Sequence, residues 1–267
     1  MRASLSGAVL TLWDDKISRC LLCGSRKKLS FEHIPPRSCY NAGSRQVHTF
    51  RAMMSKCLNG EKFPRGLGRK SLCAECNQFL GREYIDQKQG FAEWTSLGMQ
   101  LIERGAGVVP CYHPFCIRPG LVGRQIAAIA VAMGNEKFLE QSWFDHLRSI
   151  VLNPAKCYTP DRFVFCVYLM AAGTPRLTPF GVPIVKIASD SPVVHCEVSL
   201  PPFGYVVFHQ TKNLDTIIQK IGLCDISRFV SMPTRSHQTE YLRLRRLTPI
   251  GAAPLDYEGV TADEGMI

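Results

Sequence analysis

Two short cysteine knuckles constrain this chain more than any other feature of its sequence. Cys20 and Cys23 enclose two leucines, and Cys73 and Cys76 enclose an Ala-Glu pair about fifty residues later. A CxxC turn lets two thiolates reach one ion, and two such turns complete a tetrahedral four-cysteine zinc site. The pattern therefore predicts a structural Zn²⁺ on these four cysteines. Four unrelated buried thiols are the alternative interpretation.

The composition is typical of a globular intracellular protein. The chain has 267 residues, of which 46% are hydrophobic and 12 are cysteines. That length allows one large domain or two ordinary ones. No window is apolar for long enough to span a membrane, and the apolar run between Gly7 and Leu12 is too short for a secretory signal. We therefore expect a cytoplasmic protein with no membrane partner, whose thiols are buried or bind metal rather than form disulfides.

The positive charge is concentrated in the first third of the chain. The formal net charge is +10. Residues 1–90 contain 16 Lys and Arg against 7 Asp and Glu, whereas residues 91–267 contain 16 against 15. Such asymmetry favours a polyanionic partner at the N-terminal end, most simply a nucleic-acid backbone, although a basic face can also serve solubility alone.

A distinctive motif lies between and just after the knuckles. The segment Leu29–Arg37 reads LSFEHIPPR, with Glu32 beside His33, and Asn77 directly follows the last knuckle cysteine. Together with the two CxxC turns, these residues resemble an HNH (His-Me finger) endonuclease, in which a four-cysteine zinc braces a ββα-metal motif. The resemblance covers residues 18–88, about a third of the chain.

The resemblance implies a catalytic role for each residue of the motif. His33 takes a proton from the attacking water, since an imidazole changes its charge near neutral pH. Glu32 and Asn77 hold a catalytic Mg²⁺ or another divalent ion through their oxygen atoms. The four-cysteine zinc is closed and therefore structural. The final histidine of the family pattern is absent, so Asp86 or Gln78 is an alternative ligand to Asn77.

The stretch from Arg37 to Lys70, between the motif and the second knuckle, is longer than in a minimal finger. Its glycines and Pro64 predict a loop. Basic groups on a loop beside an active site suit a clamp for the phosphate backbone, and a solvated loop without ligand is the alternative. The predicted nucleic-acid contacts are Arg37, Arg45, Arg51, Lys56, Arg65, Arg69 and Lys70.

Residues 91–267 change from helical to strand patterns and contain no catalytic motif. Helical periodicity predicts three helices, followed after Pro160 by strands and one more short helix. The predicted helices are Phe91–Arg104, Leu121–Ala132, Glu136–Leu152 and Asn213–Ile221. The predicted strands are Phe163–Met170, Val182–Ile187, Val193–Leu200 and Tyr205–His209. Leu and Arg alternate over Tyr241–Leu247, which predicts an edge strand or a second nucleic-acid contact.

The sequence thus predicts an α+β protein with two domains. Residues 1–90 form a ββα-metal (HNH) zinc finger, and residues 91–267 form an accessory domain with a helical section and a mainly antiparallel sheet. The predicted function is metal-dependent endonuclease cleavage of DNA, with RNA also open, and the resemblance implies phage defence as its setting. The alternative is a non-catalytic zinc module that binds nucleic acid or protein. A homodimer or a regulatory protein partner is expected to form through residues 91–267.

Overall fold

The computed structural model describes most of the chain and has mixed helices and sheets. In the described part it has five α-helices and eleven strands arranged in three sheets, which confirms the α+β class. None of these helices has the length and apolar character needed to cross a membrane. The described residues are 17–49, 61–107, 111–170, 175–184, 193–210 and 214–247.

The elements are numbered here in chain order. The strands are β1 (Leu29–His33), β2 (Arg45–Thr49), β3 (Glu61–Phe63), β4 (Gly68–Cys73), β5 (Cys111–Ile117), β6 (Phe163–Leu169), β7 (Arg176–Ile184), β8 (Val193–Leu200), β9 (Phe203–His209), β10 (Cys224–Asp225) and β11 (Gln238–Leu244). The α-helices are α1 (Ala74–Leu80), α2 (Phe91–Glu103), α3 (Pro119–Ala132), α4 (Ser142–Leu152) and α5 (Leu214–Ile221).

Two strands and a helix frame the predicted motif. Strand β1 pairs antiparallel with β4, with Glu32 opposite Arg69 and His33 opposite Gly68. Only glycine fits at position 68, because an added Cβ would lie 2.0 Å from the Glu32 carbonyl oxygen. Helix α1 begins directly after β4, with Cys73 at its N-cap. The chain therefore places the motif strand, its partner and the knuckle helix side by side.

A seven-stranded sheet forms the centre of the molecule. Its strand order is β10-β6-β9-β8-β7-β2-β3, and every neighbouring pair is antiparallel except β2 and β7. In that parallel pair, His48 lies opposite Arg176. Strands β2 and β3, both from residues 1–90, are thus part of the same sheet as five strands from residues 91–267. The boundary between the two predicted domains stays a prediction.

Strand β6 is buried on both faces, which explains its continuous apolar sequence. Phe163, Phe165 and Val167 belong to the main hydrophobic core together with helix α3, which is buried along its entire length. The alternate residues Cys166 and Tyr168 pack on the other face with helix α5. A strand covered on both faces loses the alternation of apolar and polar residues and becomes an uninterrupted apolar run.

The predicted helix over Glu136–Leu152 is wrong as a single element. A 3₁₀ turn covers Glu136–Glu140, Gln141 is extended, and α4 begins at Ser142. The ring of Phe138 contacts those of Trp143 and Phe144, with centroids 5.1 and 5.8 Å apart. In a continuous α-helix, the residues five and six positions after Phe138 would lie on a different face of the helix from Phe138, because each residue turns the helix by about 100°. The break at Gln141 therefore brings the three rings together.

The basic stretch from Arg37 to Lys70 was predicted as a loop, and that prediction is wrong for Arg45–Thr49 and Glu61–Phe63 and for residues 68–70, which begin strand Gly68–Cys73. Strand β2 is paired on both sides, with β3 and with the distant β7. Pairing with strands far along the chain outweighs local turn composition. Strand β5, which pairs with β11, was also not predicted.

A buried asparagine closes the connection between β1 and β4. The Asn41 side chain is fully buried, and its Nδ2 donates to the carbonyl oxygens of Pro35 and Leu67 at 2.6 and 2.8 Å. Its Oδ1 accepts from the Leu67 backbone N–H at 2.7 Å. These three bonds satisfy backbone groups of Pro35, which follows β1, and of Leu67, which precedes β4. Asn41 therefore holds together the segments that follow β1 and precede β4.

Replacing Asn41 with alanine is expected to destabilise the protein by about 2–4 kcal/mol, because the Pro35 carbonyl and the Leu67 N–H lose their partners and the Leu67 carbonyl keeps only its bond from the Ile34 N–H. Urea unfolding at equilibrium measures this change. The control is Asn153→Ala, since the exposed Asn153 side chain makes one bond to the Ser149 carbonyl and should cost under about 0.5 kcal/mol. Equal free energies of unfolding for the two variants would contradict the stabilising role of Asn41.

Candidate functional site

The four knuckle cysteines come together in one cluster. Their sulfur atoms all lie within 4.8 Å of one another, and the Sγ atoms of Cys23 and Cys73 are 3.9 Å apart. Four sulfurs at zinc-bond length in a tetrahedron would be separated by about 3.8 Å. The donor set and the spacing thus fit a metal ion such as zinc, which agrees with the predicted cluster.

Local backbone bonds position the first knuckle. The Gly24 N–H donates to the Cys20 carbonyl oxygen at 2.8 Å, and Gly24 has a φ of +78°, which glycine adopts readily. The Leu21 N–H donates to the Ser71 carbonyl oxygen at 2.9 Å, which joins this turn to strand β4. Backbone hydrogen bonds therefore hold the two knuckles next to each other without the help of a metal ion.

The thiols of the cluster influence each other's protonation. A hydrogen bond with Cys76 stabilises the Cys20 thiolate and lowers the pKa of Cys20 to about 4. The same contact, together with burial, raises the pKa of Cys76. One sulfur of the cluster is thus already disposed to be anionic, which is the form that ligates a metal.

Replacing Cys73 with serine is expected to remove the bound metal and lower the thermal midpoint, since the metal joins two segments about fifty residues apart. Metal content by mass spectrometry and thermal unfolding measure the two effects. Cys157→Ser is the matched control, because Cys157 is exposed and outside the cluster. Retention of a full metal equivalent by Cys73→Ser would contradict the site.

The three candidate catalytic residues line one cleft. The cleft has a volume of about 540 Å³ and lies where β1, α1 and the turn after α1 meet. Glu32, His33 and Asn77 all contribute to its wall, as do Arg37 and Asp86. The structure thus brings together residues from two segments more than forty positions apart.

Glu32 is a buried carboxyl group with an unpartnered oxygen. The side chain is 6% exposed, and its Oε2 has no hydrogen-bond partner. Burial raises the pKa of Glu32 well above its ordinary value, and the negative charge of Cys20 adds to the effect. A bare carboxylate is costly in such a place, and a cation beside it would remove that cost. The residue therefore fits the role of a metal ligand.

The His33 ring is hydrogen bonded to the backbone of the segment that precedes β4. Its Nε2 lies 2.9 Å from the Arg65 carbonyl oxygen, so Nε2 carries the hydrogen and donates it. In a neutral imidazole the other nitrogen, Nδ1, is then the proton acceptor. The Phe31 ring packs edge-on against the imidazole, with centroids 5.1 Å apart. The ring is thus oriented, and its tautomer is set.

Asn77 links α1 to the motif strand. Its Nδ2 donates to the Phe31 carbonyl oxygen at 3.2 Å and to the Ser30 hydroxyl at 3.3 Å. The amide nitrogen is thereby committed to β1. The amide oxygen Oδ1 is the atom left to face a cation in the cleft.

The alternative ligands occupy different places. Asp86 follows a π-helical turn over Gly81–Ile85, closed by a bond from the Asp86 N–H to the Gly81 carbonyl oxygen at 2.9 Å. Turns of this type are common at functional sites, and this one sets the Asp86 carboxylate at the cleft. Gln78 is exposed and is not among the residues that line the cleft. Asp86 is therefore the better candidate for a further ligand.

The predicted nucleic-acid contacts divide by their surroundings. Arg37 is exposed and lines the cleft, and Lys70 is exposed on β4. Arg65 is exposed on the segment that holds His33, with its guanidinium 5.8 Å from the Phe31 ring centroid. Of these three exposed cations, Arg37 is the one that lines the cleft.

The remaining predicted contacts are engaged within the protein or lie outside the described residues. Arg45 donates to the Tyr40 carbonyl oxygen, and Arg69 donates to that of Gly134 at 3.2 Å. Their guanidinium groups therefore stabilise the fold around the motif. Arg51 and Lys56 lie outside the described residues.

Sequence reasoning missed two contributors to this site. Asn41 and the Arg65 carbonyl group shape and orient the cleft, yet no residue pattern pointed to either. An asparagine in a turn-rich segment is normally interpreted as a turn residue, and a backbone carbonyl has no sequence signature.

Comparison of the chain with protein-family models, curated proteins and solved structures finds no significant match. Membership of the HNH family therefore stays a prediction, and a function has to be inferred from the chain's own residues.

Proposed function

We propose that this protein is a metal-dependent endonuclease that hydrolyses DNA phosphodiester bonds at the cleft formed by β1, α1 and the turn after α1. The observation that carries the proposal is the convergence of Glu32, His33 and Asn77 on this cleft, beside the four-cysteine cluster. A ββα unit braced by a four-cysteine metal site is the arrangement that the HNH resemblance implies.

His33 is the proposed general base. Because Nε2 donates to the Arg65 carbonyl group, Nδ1 takes the proton of the attacking water. The water oxygen forms a bond to phosphorus, and the bond from phosphorus to the 3′ oxygen breaks. The leaving oxygen then takes a proton from solvent.

Glu32 and Asn77 are the proposed ligands of a catalytic divalent ion, with Asp86 as a further oxygen donor. The buried and unpartnered Oε2 of Glu32 supports this assignment. When bound, a divalent ion supplies positive charge to the scissile phosphate and to the departing oxygen. Arg37, exposed at the same cleft, would add a bidentate contact to the phosphate backbone.

The second candidate is a non-catalytic zinc module in which Glu32 and His33 are a structural pair. One observation favours it, because His33 is hydrogen bonded within the finger. Its other requirement is an ion pair between Glu32 and a cation such as Arg37, and none of the described residues forms such a pair with Glu32. The nuclease accounts for both residues and is the proposal we retain.

Replacing His33 with alanine is expected to abolish nicking of supercoiled plasmid in the presence of Mg²⁺ or Mn²⁺, with a loss of about 10²-fold or more. Loss of the proton acceptor is the reason, so zinc content and affinity for DNA should stay unchanged. Gel analysis of plasmid forms over time measures the activity.

The matched control is His146→Ala, since His146 lies on α4 outside the cleft. Equal cleavage by the parent protein and His33→Ala would exclude His33 as the base. Absence of cleavage by the parent protein, with DNA binding retained, would favour the non-catalytic module.

Replacing Glu32 with glutamine is expected to weaken Mn²⁺ binding at the cleft by about tenfold or more, because the ion loses its only buried carboxylate ligand. The variant without Mn²⁺ should be as stable as the parent or more stable, because no buried charge remains to be compensated. Titration of zinc-loaded protein, followed by electron paramagnetic resonance, measures the affinity.

The control for this variant is Glu75→Gln, in which an exposed carboxylate paired with Lys27 is removed from the surface. Its Mn²⁺ affinity should match that of the parent. An unchanged affinity in Glu32→Gln would place the ion elsewhere.

A further inference from the structure

The two-stranded sheet formed by β5 and β11 has one face that nothing in the described structure covers. Successive residues of a strand alternate between faces. Phe115 and Ile117 on β5, and Leu242 and Leu244 on β11, are buried in the core. The residues between them, which include Tyr112 and Tyr241, therefore point outward.

This outward face displays two large aromatic rings. Tyr112 is 69% exposed and Tyr241 is 63% exposed, which makes them the two most exposed large hydrophobic residues in the described structure. Tyr241 lies opposite Pro114, and Tyr112 lies opposite Arg243. The two tyrosines are thus diagonal neighbours across the strand pair, a separation that aromatic side chains can bridge.

Two arginines extend this face. Arg243 and Arg245 are both exposed, and neither forms an ion pair with a described residue. They line a cavity of about 600 Å³ together with Asp225 and the C-terminal end of α5. The Asp225 carboxylate is engaged by the N–H and hydroxyl groups of Ser227, at 2.7 and 2.6 Å.

The neighbouring Arg246 differs from these two arginines because its guanidinium group is hydrogen bonded within the protein. Its Nε donates to the Ala106 carbonyl oxygen at 2.6 Å, and its Nη2 donates to that of Ile102 at 2.9 Å. It therefore caps the C-terminal end of α2. Neither Arg243 nor Arg245 makes a side-chain hydrogen bond of this kind to a described residue.

We propose that the outward face of β5 and β11, comprising Tyr112, Tyr241, Arg243 and Arg245, binds a single-stranded segment of nucleic acid. The inference extends the proposed function, because it assumes a nucleic-acid ligand, but it concerns a surface that does not include the cleavage cleft. Exposed rings stack on unpaired bases whatever the sequence, and unpaired guanidinium groups contact the backbone phosphates.

The charge of the face favours this ligand. Its outward positions carry Tyr, Pro, Cys, Thr and Arg without an acidic residue, so the charge that these strand positions present is positive and attracts a polyanion. A duplex is disfavoured because its bases are stacked internally and offer no face to the tyrosines.

The test measures the affinity of the full zinc-loaded chain for a fluorescent oligothymidine of about 20 nucleotides, long enough for a typical single-strand site. All proteins carry His33→Ala, and no divalent ion is added, so that cleavage does not interfere. Fluorescence anisotropy is recorded over a range of salt concentrations and repeated with a duplex of the same length.

Two double variants separate stacking from charge. Tyr112→Ala with Tyr241→Ala is expected to weaken binding of the single strand by about tenfold or more without changing the salt dependence, whereas the corresponding Phe variants retain affinity. Arg243→Ala with Arg245→Ala is expected to reduce the slope of log affinity against log salt by about 1.4.

The matched control is Arg104→Ala with Arg162→Ala, which removes two exposed positive charges elsewhere and should leave the salt slope close to that of the parent. Thermal unfolding confirms that each variant is folded. Unchanged affinity in both double variants would overturn the inference.

Loss of self-association by the tyrosine variant, with oligonucleotide affinity unchanged, would instead identify the face as a protein interface and would also overturn the inference.

The two proposals can be contradicted separately. If nicking depends on His33 but the tyrosine and arginine double variants bind the oligonucleotide normally, only this inference is overturned. If the double variants bind less tightly but the parent protein does not nick DNA, only the endonuclease proposal is overturned.

Discussion

The contact among four thiols from two distant knuckles is the interaction on which the rest of this site depends. The first knuckle precedes β1, and the second joins the end of β4 to the start of α1. Bringing their sulfur atoms together fixes the order and orientation of β1, β4 and α1. A metal ion at this point would add a direct link between segments whose leucines, among them Leu21, Leu22 and Leu72, already share the main hydrophobic core.

That frame allows a buried carboxyl group to persist. Glu32 is the one acidic residue of the motif strand, and its Oε2 has no partner among the described residues. Leaving such a group unpaired opposes folding, and this cost supports the proposal that Glu32 binds a divalent ion. Close backbone approach at Gly68 and the three bonds of Asn41 hold the strand in place despite this cost. The buried carboxyl group that the proposed ion site requires thus lowers the stability of β1, the strand that carries it.

Local patterns predicted the elements that are defined by their own periodicity. Helices α2, α3 and α5 and strands β6 and β8 were predicted within a few residues, because each buries a continuous or helical apolar pattern. The cysteine cluster was also predictable, since its chemistry allows few alternatives. The convergence of Glu32, His33 and Asn77 followed from the motif and not from periodicity.

The remaining features depend on partners that are distant in the chain. Strand β2 exists because β3 and β7 complete its bonds, and the break at Gln141 reflects the packing of Phe138 against rings beyond it. The tautomer of His33 depends on a backbone carbonyl group of Arg65. None of these contacts has a local signal, since each is decided by tertiary structure.

Anomalous diffraction from crystals of the zinc-loaded protein soaked in Mn²⁺ tests the central claim most directly. The account predicts a manganese peak in the cleft, ligated by the Glu32 carboxylate and the Asn77 amide oxygen, and a separate zinc peak within the four sulfur atoms. A cleft without manganese, or a manganese ion that contacts neither Glu32 nor Asn77, would contradict it.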